Sequence, residues 1–174
     1  MSVNPQNNSE WLILVSSNYK KEYISDIVEV IGVPNSFIVH FRYRKKWVNS
    51  SLWDKLPVKE KLKNGDEIQR LNEIKSRKIL IVFLCQDDKD NWLSSYPVRF
   101  ATIDKCYVTG RSDHDIAHFY LYVDSYCSAK KEEERKNFLE KIKVDSREAG
   151  FNNSRMAFLA QNMSNSLVQD KTLQ

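Results

Sequence analysis

Glycine is scarce in this chain: its 174 residues include four, Gly32, Gly65, Gly110 and Gly150, each isolated from the others. Loops that wrap a phosphate in backbone N–H groups need closely spaced glycines, so neither a P-loop nor a dinucleotide fingerprint is present. No cofactor is expected on that ground. Cysteine is scarce as well. Cys85, Cys106 and Cys127 are odd in number and far apart, and the lack of any CxxC pair removes zinc ribbons and thioredoxin-type redox motifs. Each lies in or beside an apolar run, where a free thiol behaves as a small hydrophobe, so reduced structural thiols are expected. Long apolar runs are missing too. Nothing approaches the roughly 20 apolar residues that span a bilayer. The polar start, residues 1–8, lacks the basic-then-apolar order of a secretory signal. The expected setting is cytoplasmic, with no membrane partner.

What the chain does contain is aromatic and mixed charge. Aromatic residues at 11% argue against disorder, and 41% apolar with 29% charged content fits a folded domain of ordinary size. A net charge of +4 with a pI near 8.9 permits an anionic partner without demanding one.

Short β-like runs dominate the first two thirds. Residues 11–15 (WLILV) form a continuous apolar run that suits a buried strand. Residues 26–33 contain Ile27, Val28, Val30 and Ile31, and their β-branched content favours a strand paired with residues 37–48 across the Pro34-Asn35-Ser36 turn. Helical spacing of Tyr23, Ile27, Val30 and Ile31 is the competing reading. Residues 49–78 form a charged, partly helical excursion, with Asp66 as a candidate cap for the Ile68, Leu71, Ile74 repeat. Residues 78–86 (KILIVFLCQ) are apolar on both faces and suit a central strand. Residues 96–103 and 118–126 read as further strands, with Pro97 at a start or an edge.

Helices close the chain. Residues 130–143 place Phe138, Leu139 and Ile142 on one side. After Gly150, residues 154–168 offer Met156, Leu159, Met163 and Leu167 at helical spacing, a stripe that would cover the β-domain or pair with its own copy. The expected fold is therefore α+β: a small, strongly bent antiparallel sheet or partly open β-barrel of five to six strands with one or two C-terminal helices. Residues 1–150 would form the β-rich domain, and residues 151–174 a helical extension or linker.

The segment 37–48 (FIVHFRYRKKWV) carries the clearest chemistry. Strand alternation puts Val39, Phe41 and Tyr43 on one face, and His40, Arg42 and Arg44 on the other. Arg99 lies in a second strand, and Tyr120 and Tyr122 in a third. Were those strands adjacent, Arg42, Arg44 and Arg99 would act as anion forks, with Trp47 as a stacking or apolar anchor. The same pattern suits an ordinary solvated strand whose arginine stems cover apolar surface. His114 and His118 are four apart, but the pair spans a turn leading into a strand, so a polar loop fits better than a metal site. No elbow or flanking motif marks a nucleophile.

The expected function is a non-catalytic recognition or regulatory module for a protein or small anionic ligand, bound through a basic–aromatic sheet face. A nucleic-acid-binding barrel using that face is the first alternative. A hydrolase or nuclease-like enzyme with an unmarked site is the second.

Overall fold

Trp11 to Val15 form the centre of β1 (Glu10–Ser17), and all five side chains are buried. A strand buried on both faces needs no alternation, hence the continuous run. The computed structural model describes residues 10–59, 65–128, 131–150, 154–161, 163 and 168–169. Beside β1 runs its parallel neighbour β3 (Lys78–Gln86), built the same way, with Trp11 opposite Lys78 and Ser17 opposite Leu84. Parallel strands cannot be joined by a tight turn, so the chain must cross back between them. The crossing uses α1 (Lys21–Gly32), β2 (Ile38–Arg44), a 3-10 turn (Lys45–Trp47), α2 (Ser50–Lys55) and α3 (Gly65–Lys75). After β3 come β4 (Trp92–Val108), β5 (Ile116–Ser128), α4 (Glu132–Glu148), β6 (Met156–Gln161) and β7 (Val168–Gln169).

The strands lie in the order β2-β5-β4-β3-β1-β6, and β7 adds to the far end of β5. The fold is α+β, as expected, with a mixed sheet because β1 and β3 are parallel. The helices are not confined to the C-terminal end, since α1, α2 and α3 precede β3. The sheet bends until its outermost strands approach without closing. Just past β2, Val48 makes an isolated bridge to Ala157 of β6, and the Asn49 N–H donates to the Ala157 carbonyl at 3.0 Å. Tyr43 spans the concave side, its hydroxyl donating to the Val15 carbonyl at 3.2 Å.

Two cores result. The concave one gathers Leu12, Leu14, Phe41, Tyr43, Ile81 and Phe119 under α1, α2 and α3. The convex one packs Ile13, Val15, Leu80, Val82 and Phe158 against Phe138 and Ile142 of α4. Burial pushes the thiols of Cys106 and Cys127 up to about 12, so neither offers a thiolate at neutral pH.

Two expectations fail. Residues 26–33 belong to α1, not to a hairpin strand. Tyr23, Ile27 and Val30 are the buried residues of that helix, so the 3.6-residue period of the buried face overrides β-branched propensity. Residues 156–161 are a strand, not a helix: β6 pairs antiparallel with β1, Trp11 opposite Ala160. Met156 and Phe158 enter the convex core and Ala157 the concave one, so the run is apolar on both faces and periodicity does not distinguish it from a helix. Met156 and Met163 are fully buried, so the Met156–Leu159–Met163 stripe is not the exposed face of a helix. Leu167 lies outside the described residues.

Smaller differences also have causes. Pro97 sits mid-strand where the β3–β4 register shifts, a bulge that spares the ladder its missing N–H. Gly150, at φ +89° just past α4, adopts the left-handed conformation that ends helices. Among the described residues, no helix is long and apolar enough to cross a membrane.

Candidate binding surfaces

β2, most of β5 and the C-terminal end of β4 bury one face and show the other. Val39, Phe41, Phe119 and Leu121 point into the concave core, which sends His40, Arg42, His118, Tyr120 and Tyr122 to the convex side. The register lines them up across strands: Arg42 faces His118, His40 faces Tyr120, and on β4 Tyr107 and Lys105 face His118 and Tyr120. α4 covers the convex side over β1, β3 and the Trp92 and Phe100 stretch of β4, and no β2 residue belongs to the core beneath it.

On this uncovered face four rings stack. The His40 and Tyr120 ring centres are 4.1 Å apart at 8°, and His118 lies 5.0 Å from both His40 and Tyr107. Lysines flank the stack, Lys105 Nζ 4.5 Å from the Tyr120 ring centre and Lys59 Nζ 5.3 Å from that of Tyr107. With their π-faces turned to one another, the rings present polar edges. His40 Nε2 and His118 Nδ1 share a hydrogen bond at 2.8 Å, so one imidazole donates to the other. Burial, with help from Arg42 and Lys105, lowers the His40 pKa. Burial, then His40, Arg42 and Lys59, bring His118 down to about 4. Both imidazoles are therefore neutral at pH 7.

The expected arginine cluster does not assemble. Arg42 lies on the convex face. Arg44, at the end of β2, folds over Trp47 of the 3-10 turn, 5.1 Å from the ring centre. These two residues line a different feature, a cleft of about 370 Å³ beyond the carboxyl ends of β1 and β3. Tyr19, Lys20, Tyr23, Lys46, Gln86, Asp90 and Arg155 complete the lining together with Ser154. Asn18 ties the two strand ends together, its Oδ1 accepting from Gln86 N–H at 2.8 Å and its Nδ2 donating to the Gln86 carbonyl at 2.9 Å.

Arg99 is fully buried on the concave side. Its Nε donates to the Asp124 carbonyl at 2.7 Å, and its terminal nitrogens to the carbonyls of Val30 and Val33 and to Asn35 Oδ1. The guanidinium also stacks on Tyr126, 4.2 Å from the ring centre. It thus anchors the C-terminal end of α1, where carbonyl dipoles favour a cation. Its alternation with Ala101 and Ile103, both buried, is the signal that assigns it to the core face.

Sequence reasoning missed Arg155. It is 4% exposed and pairs with Asp26 at 2.9 Å, while donating to Ser16 Oγ and twice to the Arg42 carbonyl. It also missed Lys105 and Tyr107, because the bulge between Ile103 and Lys105 shifts the alternation by one residue. His114 is exposed in the β4–β5 connection, apart from the stacked rings. Among the described residues, no group of three or more His, Cys, Asp or Glu side chains converges as metal ligands would.

Comparison with protein-family models, with curated proteins and with solved structures returns no match. The fold defines a class in structural terms: an α+β domain built on a bent, open mixed sheet.

Proposed function

We propose that this domain is a non-catalytic recognition module that binds an acidic partner protein through the convex face of β2, β5 and β4. One observation carries the reading: none of the four stacked rings on this face belongs to the core beneath α4, and Arg42, Lys105 and Lys59 surround them. None of these three cations has a carboxylate partner among the described residues. Rings that immobilise one another lose little freedom on binding, which lowers the cost of association. Their hydroxyl and imidazole edges add directional hydrogen bonds, and Ile38 and Tyr122, 47% and 39% exposed, add apolar area.

Nucleic acid is the second reading, favoured by the same three cations. It is placed second because bases stack on open ring faces, and here those faces are taken. Fluorescence anisotropy with a glutamate-rich peptide and with short single- and double-stranded DNA and RNA, at low and moderate salt, separates the two. Peptide binding that weakens tenfold or more in Lys105→Glu supports the first. Tighter nucleic-acid binding with a steep salt slope puts the second ahead. No binding of either at low salt removes this face as an anion-recognition surface.

A further inference from the structure

We propose that the cleft beyond β1 and β3 is a separate site for a small organic phosphate, one whose phosphate is joined to a flat, hydrogen-bond-donating ring. Four cations line it, Lys20, Arg44, Lys46 and Arg155, against the carboxylate of Asp90. Arg155 is balanced by Asp26, its partner at 2.9 Å. Lys20, Arg44 and Lys46 pair with no carboxylate among the described residues. Three like charges around one concavity repel each other, and a dianion placed between them relieves that repulsion.

The charges are also held in place. Arg44 lies over Trp47, Lys46 Nζ is 6.0 Å from the same ring centre, and Trp47 meets Tyr23 edge-on at 6.0 Å. Lys20 Nζ is 6.0 Å from the Tyr23 ring centre. A guanidinium fixed by stacking keeps its planar fork for phosphate oxygens. The 12-residue α1 begins at this rim with Lys20 as its N-cap, a residue that gives its first N–H groups no side-chain acceptor. The helix dipole therefore adds positive potential on the same side.

Two further observations favour an organic phosphate over a bare ion. Gln86 is 8% exposed, and its Oε1 has no hydrogen-bond partner. A buried unpaired acceptor in the wall gains most from a ligand carrying an N–H or O–H donor. Tyr19 stands at the rim, 53% exposed, as a surface for a flat ring. A volume of about 370 Å³ lies in the range of small-molecule sites.

Isothermal titration of the full chain at low ionic strength with inorganic phosphate, adenosine and the four common ribonucleoside 5′-monophosphates tests this. The four nucleotides share one phosphate charge and one sugar, so comparison among them isolates the ring. At least one nucleotide is expected to bind with 1:1 stoichiometry and several-fold tighter than phosphate, with adenosine far weaker. Arg44→Ala should weaken the nucleotide about tenfold or more, the loss expected for a charge-assisted bidentate contact. Lys105→Glu, on the convex face, should leave it unchanged, so the two surfaces stand or fall independently. The proposal is overturned if no nucleotide binds, if none exceeds phosphate, or if Arg44→Ala and Lys46→Ala both bind as the parent does.

Discussion

Arg42 and Arg155 meet at one point, where the Arg155 guanidinium donates to the Arg42 carbonyl, yet one side chain is exposed and the other nearly sealed. Arg99 resembles Arg155, and Arg44 resembles Arg42. Arg99 gathers carbonyls at the end of α1, and Arg155 divides its bonds between the side chains of Ser16 and Asp26 and the Arg42 carbonyl, spanning from β1 to the free edge of β2. Each acts where regular structure leaves acceptors without donors, at a helix terminus and at the gap in a sheet that does not close. A guanidinium offers five donors in one plane, enough to bridge two elements at once. The exposed pair have spare hydrogen-bonding capacity, which makes them available to a ligand.

The largest effect expected from this contrast is at Arg99. Truncation to alanine strands the carbonyls of Asp124, Val30 and Val33 in the core, and should cost about 3–5 kcal/mol, the usual range when one side of a buried charged network is removed. Arg42→Ala should change stability by no more than about 0.5 kcal/mol, as exposed substitutions generally do. Urea unfolding of both variants measures the difference. Similar losses in the two would mean that burial does not separate structural from displayed arginines here.

Arg155→Ala comes next. It removes bonds to Ser16, Asp26 and Arg42 and the packing on Tyr43, 4.5 Å away, so a loss of about 3 kcal/mol is expected. Asp26→Asn keeps the Arg155 guanidinium in place on its other acceptors and should cost less, about 1–2 kcal/mol. Burial already raises the Asp26 pKa, with Arg155 pulling it partly back, so the carboxylate form is only incompletely compensated. If Asp26→Asn proves the more damaging, the ion pair rather than the bridge to β2 holds the gap.

Sequence patterns read coverage better than they read direction. Residues 11–15 and 78–86 are apolar on both sides, and they form the strands covered on both faces. Residues 38–44 and 116–126 alternate, and they form the strands covered on one. What alternation does not carry is the effect of a bulge. Lys105 and Tyr107 lie just past the irregularity at Ile103, where a single extra residue exchanges inner for outer positions. Arg155 precedes a strand that reads equally well as a helix, so its partners on β1, α1 and β2 exist only once the sheet has bent. Arg44 and Trp47 sit together because a 3-10 turn follows β2 directly, a feature that the basic run 44–46 and the tryptophan do not announce.

The smallest effect concerns the neutral imidazoles on the exposed face. His118 has an ordinary pKa of 6.5 in the unfolded chain and about 4 in the fold, and the His40 shift has the same sign. Between those values the unfolded state binds more protons, so stability should fall as pH is lowered from about 6.5 towards 4. Arg42, Lys105 and Lys59 all resist a further charge there, whereas Asp26, with its raised pKa, acts in the opposite direction near the bottom of the window. His118→Phe retains a ring against Tyr107 and His40 but cannot titrate. Its thermal midpoint should vary less with pH across this window than that of the parent, while the two converge in pH dependence above pH 7. An unchanged slope would show that the face is solvated enough to accept the proton, and that the stacked rings are looser than their 4–5 Å centre distances require.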